Sequence, residues 1–354
     1  MHIGNIETPA LVLFEDTVEK NMKMMKEQMD KTGLALRPHY KSCKSTYIAH
    51  WQIRAGAKGI CCSKVSEAED LILAGVEDVL LANEVVDIYK IARIAYLAGC
   101  CRLTVCVDRK ENIMQLQAAA KNQGTTIYVL VEYNVFQRRC GVNTPEEFLE
   151  LVKAVDSCNN LVFEGIQAYA GHLAHEENYD IRKEQVERVE ARVSELKKYL
   201  EGKGVPVKEV SGMSTGTVDL RTKDTVFTEA QAGSYIFMDT AYNAVGLRYE
   251  NSLFVLTQVM SKGEFIVTDA GLKTISKDQT PPVFKDYPDR KVTLSEEHGR
   301  IPAEGLDDVK IGDKLLMIPS HCCTTINLHD HIYLLKNDGK VIDRICVTSR
   351  GKSL

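Results

Sequence analysis

"LTVCVDRKENIMQLQAAAKNQGTTIYVLVEYN", residues 103–134, holds two apolar, β-branched runs, "LTVCVD" (103–108) and "TIYVLVEYN" (126–134), with a helical pattern between them. A run that is apolar on both faces suits a strand covered on both sides, and two parallel strands need a crossover helix to join them. The same unit recurs in both directions along the chain. Further strands are expected at "ALVLF" (10–14), "LALRP" (34–38), "GICCS" (59–63), "DVLLAN" (78–83), "FEGIQAYAG" (163–171) and "VKEVSG" (207–212). The clearest helix spans 179–202, where Ile181, Val186, Val189, Val193, Leu196 and Leu200 trace one face and charges cover the other. Val18, Met22, Met25 and Met29 form a shorter stripe that reads as core. About eight strand-helix steps without a break predict an α/β fold, a (β/α)8 barrel over residues 10–248, rather than an open sheet.

Past residue 250 the period falls to two. "SLFVLTQVM", "EFIVTDAG", "KLLMIPS", "HIYLLKN" and "KVIDRICV" read as strands joined by polar turns, so residues 249–354, together with 1–9, are expected to form a C-terminal β-rich domain. The stretch 276–310 has weak periodicity and several prolines and reads mostly as loop.

The 354 residues suffice for a large core, and a net charge of −5 with no basic stripe argues against nucleic acid as a partner. No run approaches the roughly 20 apolar residues of a membrane helix. The opening "MHIGNIETPALVLFED" lacks the pattern of a signal peptide, so a cytoplasmic location is expected. Eleven cysteines without a Cys-x-x-Cys pair read as reduced, small core residues rather than a disulfide scaffold or a four-cysteine zinc knuckle.

In a parallel barrel the chemistry sits at the carboxyl ends of the strands. "RPHYKSCKS" (37–45) puts Lys41 there, and neighbouring Arg37 and Lys44 are expected to depress its pKa, which is how a Schiff-base lysine is prepared. An exposed lysine in a turn is the plainer alternative. "SGMSTGT" (211–217) and "AQAGSY" (230–235) offer small residues and glycines whose backbone N–H groups could converge on a phosphate, although any Ser/Gly/Thr turn has that composition. Arg139 follows one strand and could reach an anionic oxygen, while Tyr169, His172 and His175 follow another. His321 and Cys323 stand at i and i+2, so both point to one side if the chain stays extended, a pairing that suits a metal with open positions. A buried cysteine beside a hydrogen-bonded histidine fits the same spacing.

Together these motifs resemble one family, the pyridoxal-phosphate enzymes that include D-threonine aldolase and eukaryotic-type D-serine dehydratase. "IETPALVL", "RPHYKSCK", "GICCSKVSEAE", "LANEVV", "RCGV", "QAYAGH", "QAGSYIFMD", "VTDAGLK", "SEEHG" and "PSHCCTTINLHD" occur in the family's order over nearly the whole chain. The resemblance implies an alanine-racemase-like barrel with a C-terminal β domain, usually a homodimer, with pyridoxal 5'-phosphate on Lys41 beside His39. It also implies that Arg139 contacts the cofactor and Tyr169 lies beside it. The phosphate falls to Ser211, Gly212, Thr215, Gly216 and Thr217, with Gly233, Ser234 and Tyr235 nearby. A divalent metal, zinc or manganese, falls to His321 and Cys323, and the base to His175 or His172, the family's pattern favouring His175.

D-Threonine aldolases commonly carry His-x-Asp where this chain has His321-x-Cys323, the pair of the dehydratases, while the surrounding blocks look closer to the aldolase branch. The expected activity is therefore retro-aldol cleavage of a D-β-hydroxy-α-amino acid, most simply D-threonine to glycine and acetaldehyde. Dehydration of D-serine or 3-hydroxy-D-aspartate to a keto acid and ammonia is the alternative. A non-catalytic pyridoxal-phosphate carrier fits less well, because such carriers lack a second domain. Alanine racemase itself needs a tyrosine base and a different sequence around its lysine.

Overall fold

A computed structural model describes residues 1–354 as two compact units. One comprises 26–41, 48–233 and 352–354; the other comprises 1–25, 42–47 and 234–351.

The first unit is a parallel barrel. Its strands are β2 (Ala35–Leu36), β3 (Ile60–Cys62), β4 (Asp78–Leu81), β5 (Arg102–Val107), β6 (Ile127–Glu132), β7 (Leu161–Ala168), β8 (Glu209–Gly212) and β9 (Glu229–Ala230), in the order β2-β9-β8-β7-β6-β5-β4-β3. The ring closes where His39 bridges Cys61 in parallel and the Cys61 and Lys58 N–H groups donate to the Pro38 and Leu36 carbonyls at 2.9 and 2.8 Å. Helices α2 (Thr46–Arg54), α3 (Val65–Leu73), α4 (Ile88–Leu97), α5 (Lys110–Gln123), α6 (Pro145–Asp156) and α7 (Tyr179–Gly202) fill the crossovers, and α1 (Glu15–Thr32) precedes β2. Their boundaries follow local chemistry. Thr144 and Glu147 make a capping box at the start of α6, and Gly124 ends α5 in the left-handed conformation.

Inside the barrel Cys61, Leu80, Cys106 and Leu130 pack as one cluster. Burial pushes the Cys61 thiol up to about 12, so it behaves as a small apolar residue, as its sequence context predicts.

The second unit is built on a nine-stranded sheet. Along its main path run β13 (Thr293–Leu294), β14 (Gly299–Pro302), β11 (Phe265–Thr268), β10 (Leu253–Lys262), β1 (Ala10–Phe14), β16 (His331–Leu335) and β17 (Val341–Cys346). β15 (Lys314–Ile318) also pairs with β10, and β12 (Val283–Phe284) with β15. The two-residue period seen in the sequence is this sheet's two faces: Val12, Phe254, Leu256, Ile318 and Leu335 point into one cluster, and Phe14 meets Phe254 edge-on at 5.6 Å between ring centroids. Short helices α8 (Thr240–Val245) and α9 (Cys322–Ile326) complete it.

Two elements differ from the sequence reading. β1, expected to begin the strand-helix series, lies antiparallel to β10 and parallel to β16 instead. The eighth barrel strand is β9, two residues long and pinned by the Gln231 N–H on the Gly212 carbonyl at 2.8 Å and the Arg37 N–H on the Ala230 carbonyl at 2.9 Å. Two residues carry no detectable period, so this strand exists only through its neighbours.

Candidate active site

At the carboxyl ends of the barrel strands His39, Lys41, Ser63, Ala82, Asn83, Arg139, Gln167, Tyr169 and Gln231 line one pocket. Lys41 enters it from a single 3-10 turn, Tyr40–Ser42, directly after β2 and the bridge residue His39. The Tyr169 ring is the common surface: Lys41 Nζ lies 5.6 Å and the Arg139 guanidinium 5.8 Å from its centroid.

His39 frames the lysine as a neutral ring. Complete burial, reinforced by the charges of Lys41 and Arg139, holds its imidazole well below the usual histidine range. Its Nδ1 accepts the Lys41 N–H at 3.2 Å, so in the neutral ring Nε2 carries the proton and donates to Ser63 Oγ at 3.2 Å. Gln231 links the pocket to the phosphate-type turn, donating to Gln167 Oε1 at 2.8 Å and to Ser211 Oγ at 2.7 Å. Ser211 Oγ in turn donates to Glu229 at 2.5 Å.

The turn 211–217 has the features of an anion cradle. Ser214 N–H donates to Thr217 Oγ1 at 3.0 Å, and Met213 takes φ +68°. A Cβ on Gly216 would stand 2.0 Å from the Ala174 carbonyl oxygen, so only glycine lets the two backbones approach. Thr215 is 1% exposed, and its hydroxyl has no hydrogen-bond partner. A buried hydroxyl left idle is costly, and the phosphate of pyridoxal phosphate would satisfy it.

The other expected residues lie apart from the pocket lining. His172 sits in the 3-10 turn Gly171–Leu173 and is exposed, with desolvation lowering its imidazole; His175 is half-buried one turn on. Gly233 is buried, and Ser234 and Tyr235 begin a buried 3-10 turn, Ser234–Ile236, where Tyr235 packs edge-on against Tyr249 at 5.9 Å.

Two expectations need correction. Arg37 does not join the pocket: its guanidinium turns to the amino-terminal end of the barrel, where it donates to Glu229 at 3.0 Å and Asp78 at 2.8 Å. β2 lasts only two residues before the chain turns, so the period-two parity that would align residues 37 and 41 is broken. Lys44 instead gives its ammonium to the Ser349 carbonyl at 3.3 Å.

In the sheet unit His321 and Cys323 do meet, though not in an extended chain. His321 is the extended N-cap of α9, Cys323 lies in its first turn, and the two side chains hydrogen-bond. Asp278 Oδ2 holds His321 Nδ1 at 3.0 Å and takes the Thr324 hydroxyl on its other oxygen at 2.8 Å. Burial alone would lower the imidazole, but the hydrogen bond and charge of Cys323, with Asp278 and Asp239, lift it to about 10. An imidazole oriented by a carboxylate beside a thiol is the donor chemistry of a zinc-type site.

Ser63, Asn83, Gln167 and Gln231 were not singled out from sequence. The strand-end rule points to Ser63 and Asn83, which follow β3 and β4, but neutral side chains give no other signal.

Comparison with known proteins matches these observations. Residues 15–241 fit the family model described as alanine racemase, N-terminal domain, and residues 252–335 the one described as putative serine dehydratase domain. The chain belongs to this alanine-racemase-like family of pyridoxal-phosphate enzymes with a dehydratase-type C-terminal domain. It is 40% identical to a 3-hydroxy-D-aspartate aldolase of Paracoccus denitrificans, over 99% of this chain and 94% of that protein. It is 38% identical to a D-threonine aldolase of an Arthrobacter species, with the same coverage. The crystal structure of D-threonine aldolase from Filomicrobium marinum superposes with a TM-score of 0.95 at 37% identity, covering 99% of this chain and 98% of that one.

Proposed function

We propose that the protein is a pyridoxal-phosphate- and divalent-metal-dependent lyase that cleaves D-β-hydroxy-α-amino acids, D-threonine type, to glycine and an aldehyde. The observation that carries it is Lys41 against the Tyr169 ring, at the carboxyl ends of the barrel strands, with Arg139 on the same ring. The aldolases among its relatives, at 40% and 38% identity, favour cleavage of the Cα–Cβ bond.

In this reading Lys41 anchors the cofactor, His39 and Tyr169 confine it, and Arg139 supplies a fixed positive charge. Ser211, Gly212, Thr215, Gly216 and Thr217, with Gly233, Ser234 and Tyr235, hold its phosphate through backbone N–H groups and hydroxyls. Bound pyridoxal phosphate supplies the sink for the electron pair left on Cα. His175 takes the proton of the substrate's β-hydroxyl, with exposed His172 second in line. His321 and Cys323 would hold the metal, which when bound supplies Lewis-acid polarisation of a substrate oxygen. The barrel unit, 26–41 with 48–233, is thus the main cofactor-binding part, and the β-rich unit carries the metal pair. A cytoplasmic homodimer completes the reading; light scattering tests the assembly. No helix is long and apolar enough to cross a membrane.

Cys323 keeps dehydration as the second reading, since a soft ligand in place of aspartate changes the metal. The deciding experiment supplies D-threonine and D-serine, with their L-forms as controls, to protein loaded with pyridoxal phosphate and zinc or manganese. Glycine plus acetaldehyde supports the aldolase; pyruvate plus ammonia from D-serine replaces it with the dehydratase.

A further inference from the structure

Beside the guanidinium of Arg139 lies a cluster that this chemistry leaves unused. Glu84 follows β4, Glu132 ends β6 and Cys140 sits in the next turn, with one ligand atom of each within 4.8 Å of the others. Glu132 is 4% exposed, and its Oε1 stands 3.8 Å from Arg139 Nη2. Glu132 Oε2 and Glu84 Oε1 are buried away from every N–H and hydroxyl donor. The two carboxyl groups and the Cys140 thiol therefore face one another at close range, with two buried carboxyl oxygens left without a donor. A carboxylate only accepts, so a bond between two of them requires a proton on one. The three side chains have the donor chemistry of a metal site, but Arg139 already sets a cation against them, so a single proton suffices to balance the charge.

Resting on the reading of Arg139 as a cofactor contact, we infer that Glu84 and Glu132 share one proton and that this proton keeps Arg139 available to the pocket, making Glu132 a positioning residue for cofactor binding. The turn that carries Arg139 leaves it few alternatives. Gly141 at φ +91° donates its N–H to Asp108 Oδ2 at 3.0 Å, and a Cβ there would stand 2.8 Å from the Asn134 nitrogen.

Burial first, then the charge and proximity of Glu84, lift the Glu132 carboxyl to about 8 against the pull of Arg139. The remaining groups facing it are Asp108, Cys106 and Cys140. Burial holds the Cys106 thiol far above its usual range and, with Glu84, takes that of Cys140 to about 12, so neither thiol ionises near neutrality. The direction follows. Below about 8 the pair keeps its proton; above it a second negative charge draws Arg139 back and repels an anionic ligand.

The test titrates the full-length apoprotein and its Glu132→Gln variant with pyridoxine 5'-phosphate, which has the ring and phosphate but no aldehyde for Lys41 to capture. Calorimetry from about pH 6.5 to about pH 9.5 gives the dissociation constants. Ionisations of the ligand and of Lys41 are common to both proteins and cancel in the ratio. The expected result is a wild-type constant that rises relative to the variant's by about tenfold across this range. If Glu132→Gln does not fold, Glu84→Gln removes the same shared proton and should flatten the curve alike. A constant ratio with tight binding in both proteins overturns the shared-proton inference alone. Binding by neither protein at any pH overturns the cofactor reading and this inference with it.

Discussion

At the amino-terminal end of the barrel Arg37 is closed between Glu229 and Asp78, whereas at the carboxyl-terminal end Lys41 and Arg139 flank one tyrosine ring among a neutral histidine, amides and a serine. The first end balances its cations with carboxylates: Lys58 pairs with Glu209 and Glu229, and Arg102 and Lys208 with Glu164. Burial opposes the charge of Arg37, but Glu229 and Asp78 overcome it and raise its pKa. At the second end the pocket lining itself holds two cations and no carboxylate, a surface that suits an anionic ligand, with Glu132 behind Arg139 at 3.8 Å. One end of the same strands is organised for folding and the other for binding.

Removing one residue from each end separates these roles. Lys41→Ala should lower turnover on the order of 10³-fold or more and abolish visible absorbance of the cofactor-loaded protein while leaving the urea midpoint in place. Surviving absorbance would place the anchor elsewhere.

Glu229→Ala should do the reverse, destabilising the fold by roughly 3–5 kcal/mol because it strips a partner from a buried guanidinium. Burial alone would raise the Glu229 carboxyl, but Arg37 and then Lys58 outweigh it, and its folded value lies below the ordinary one. Its stabilisation is therefore complete above the ordinary glutamate range and is lost as pH falls through the folded value. Urea unfolding against pH should show an acid-side loss in the wild type that is smaller in the variant; equal slopes would deny Glu229 this part.

Chelation tests the sheet unit separately from either barrel end. Stripping the metal should cost on the order of a hundredfold in turnover without bleaching the cofactor, since no metal-pair residue lines the pocket that holds Lys41. Indifference to chelation would remove His321 and Cys323 from the reaction.

The smallest effect is expected at Thr215→Val, which keeps the shape and deletes the idle hydroxyl. Pyridoxal-phosphate affinity should weaken roughly threefold to tenfold while the apoprotein melts no lower, and unchanged affinity would leave the phosphate to the backbone alone.

Much of the carboxyl-terminal end was legible in the sequence because strand ends are local: Lys41, Arg139 and Tyr169 each follow an apolar run, and the family's motifs fall on them. Gln167 and Gln231 were not, since an amide 64 residues from its partner carries no pattern in either stretch. The Glu84 and Glu132 pair was hidden for the same reason. Each glutamate alone reads as an ordinary polar strand-end residue.

By itself the sequence determined the alternation of strands and helices, the change to a two-residue period past residue 250, and the placing of Lys41 just after a strand end. These depend on burial patterns within a dozen neighbouring residues. Only the tertiary structure decided that β1 joins β10 and β16, that the two residues of β9 fit between β2 and β8, and that Arg37 points away from Lys41. Arg37 finds Asp78 and Glu229 across 41 and 192 positions of chain, and charges so far apart in sequence are brought into register only when the barrel closes.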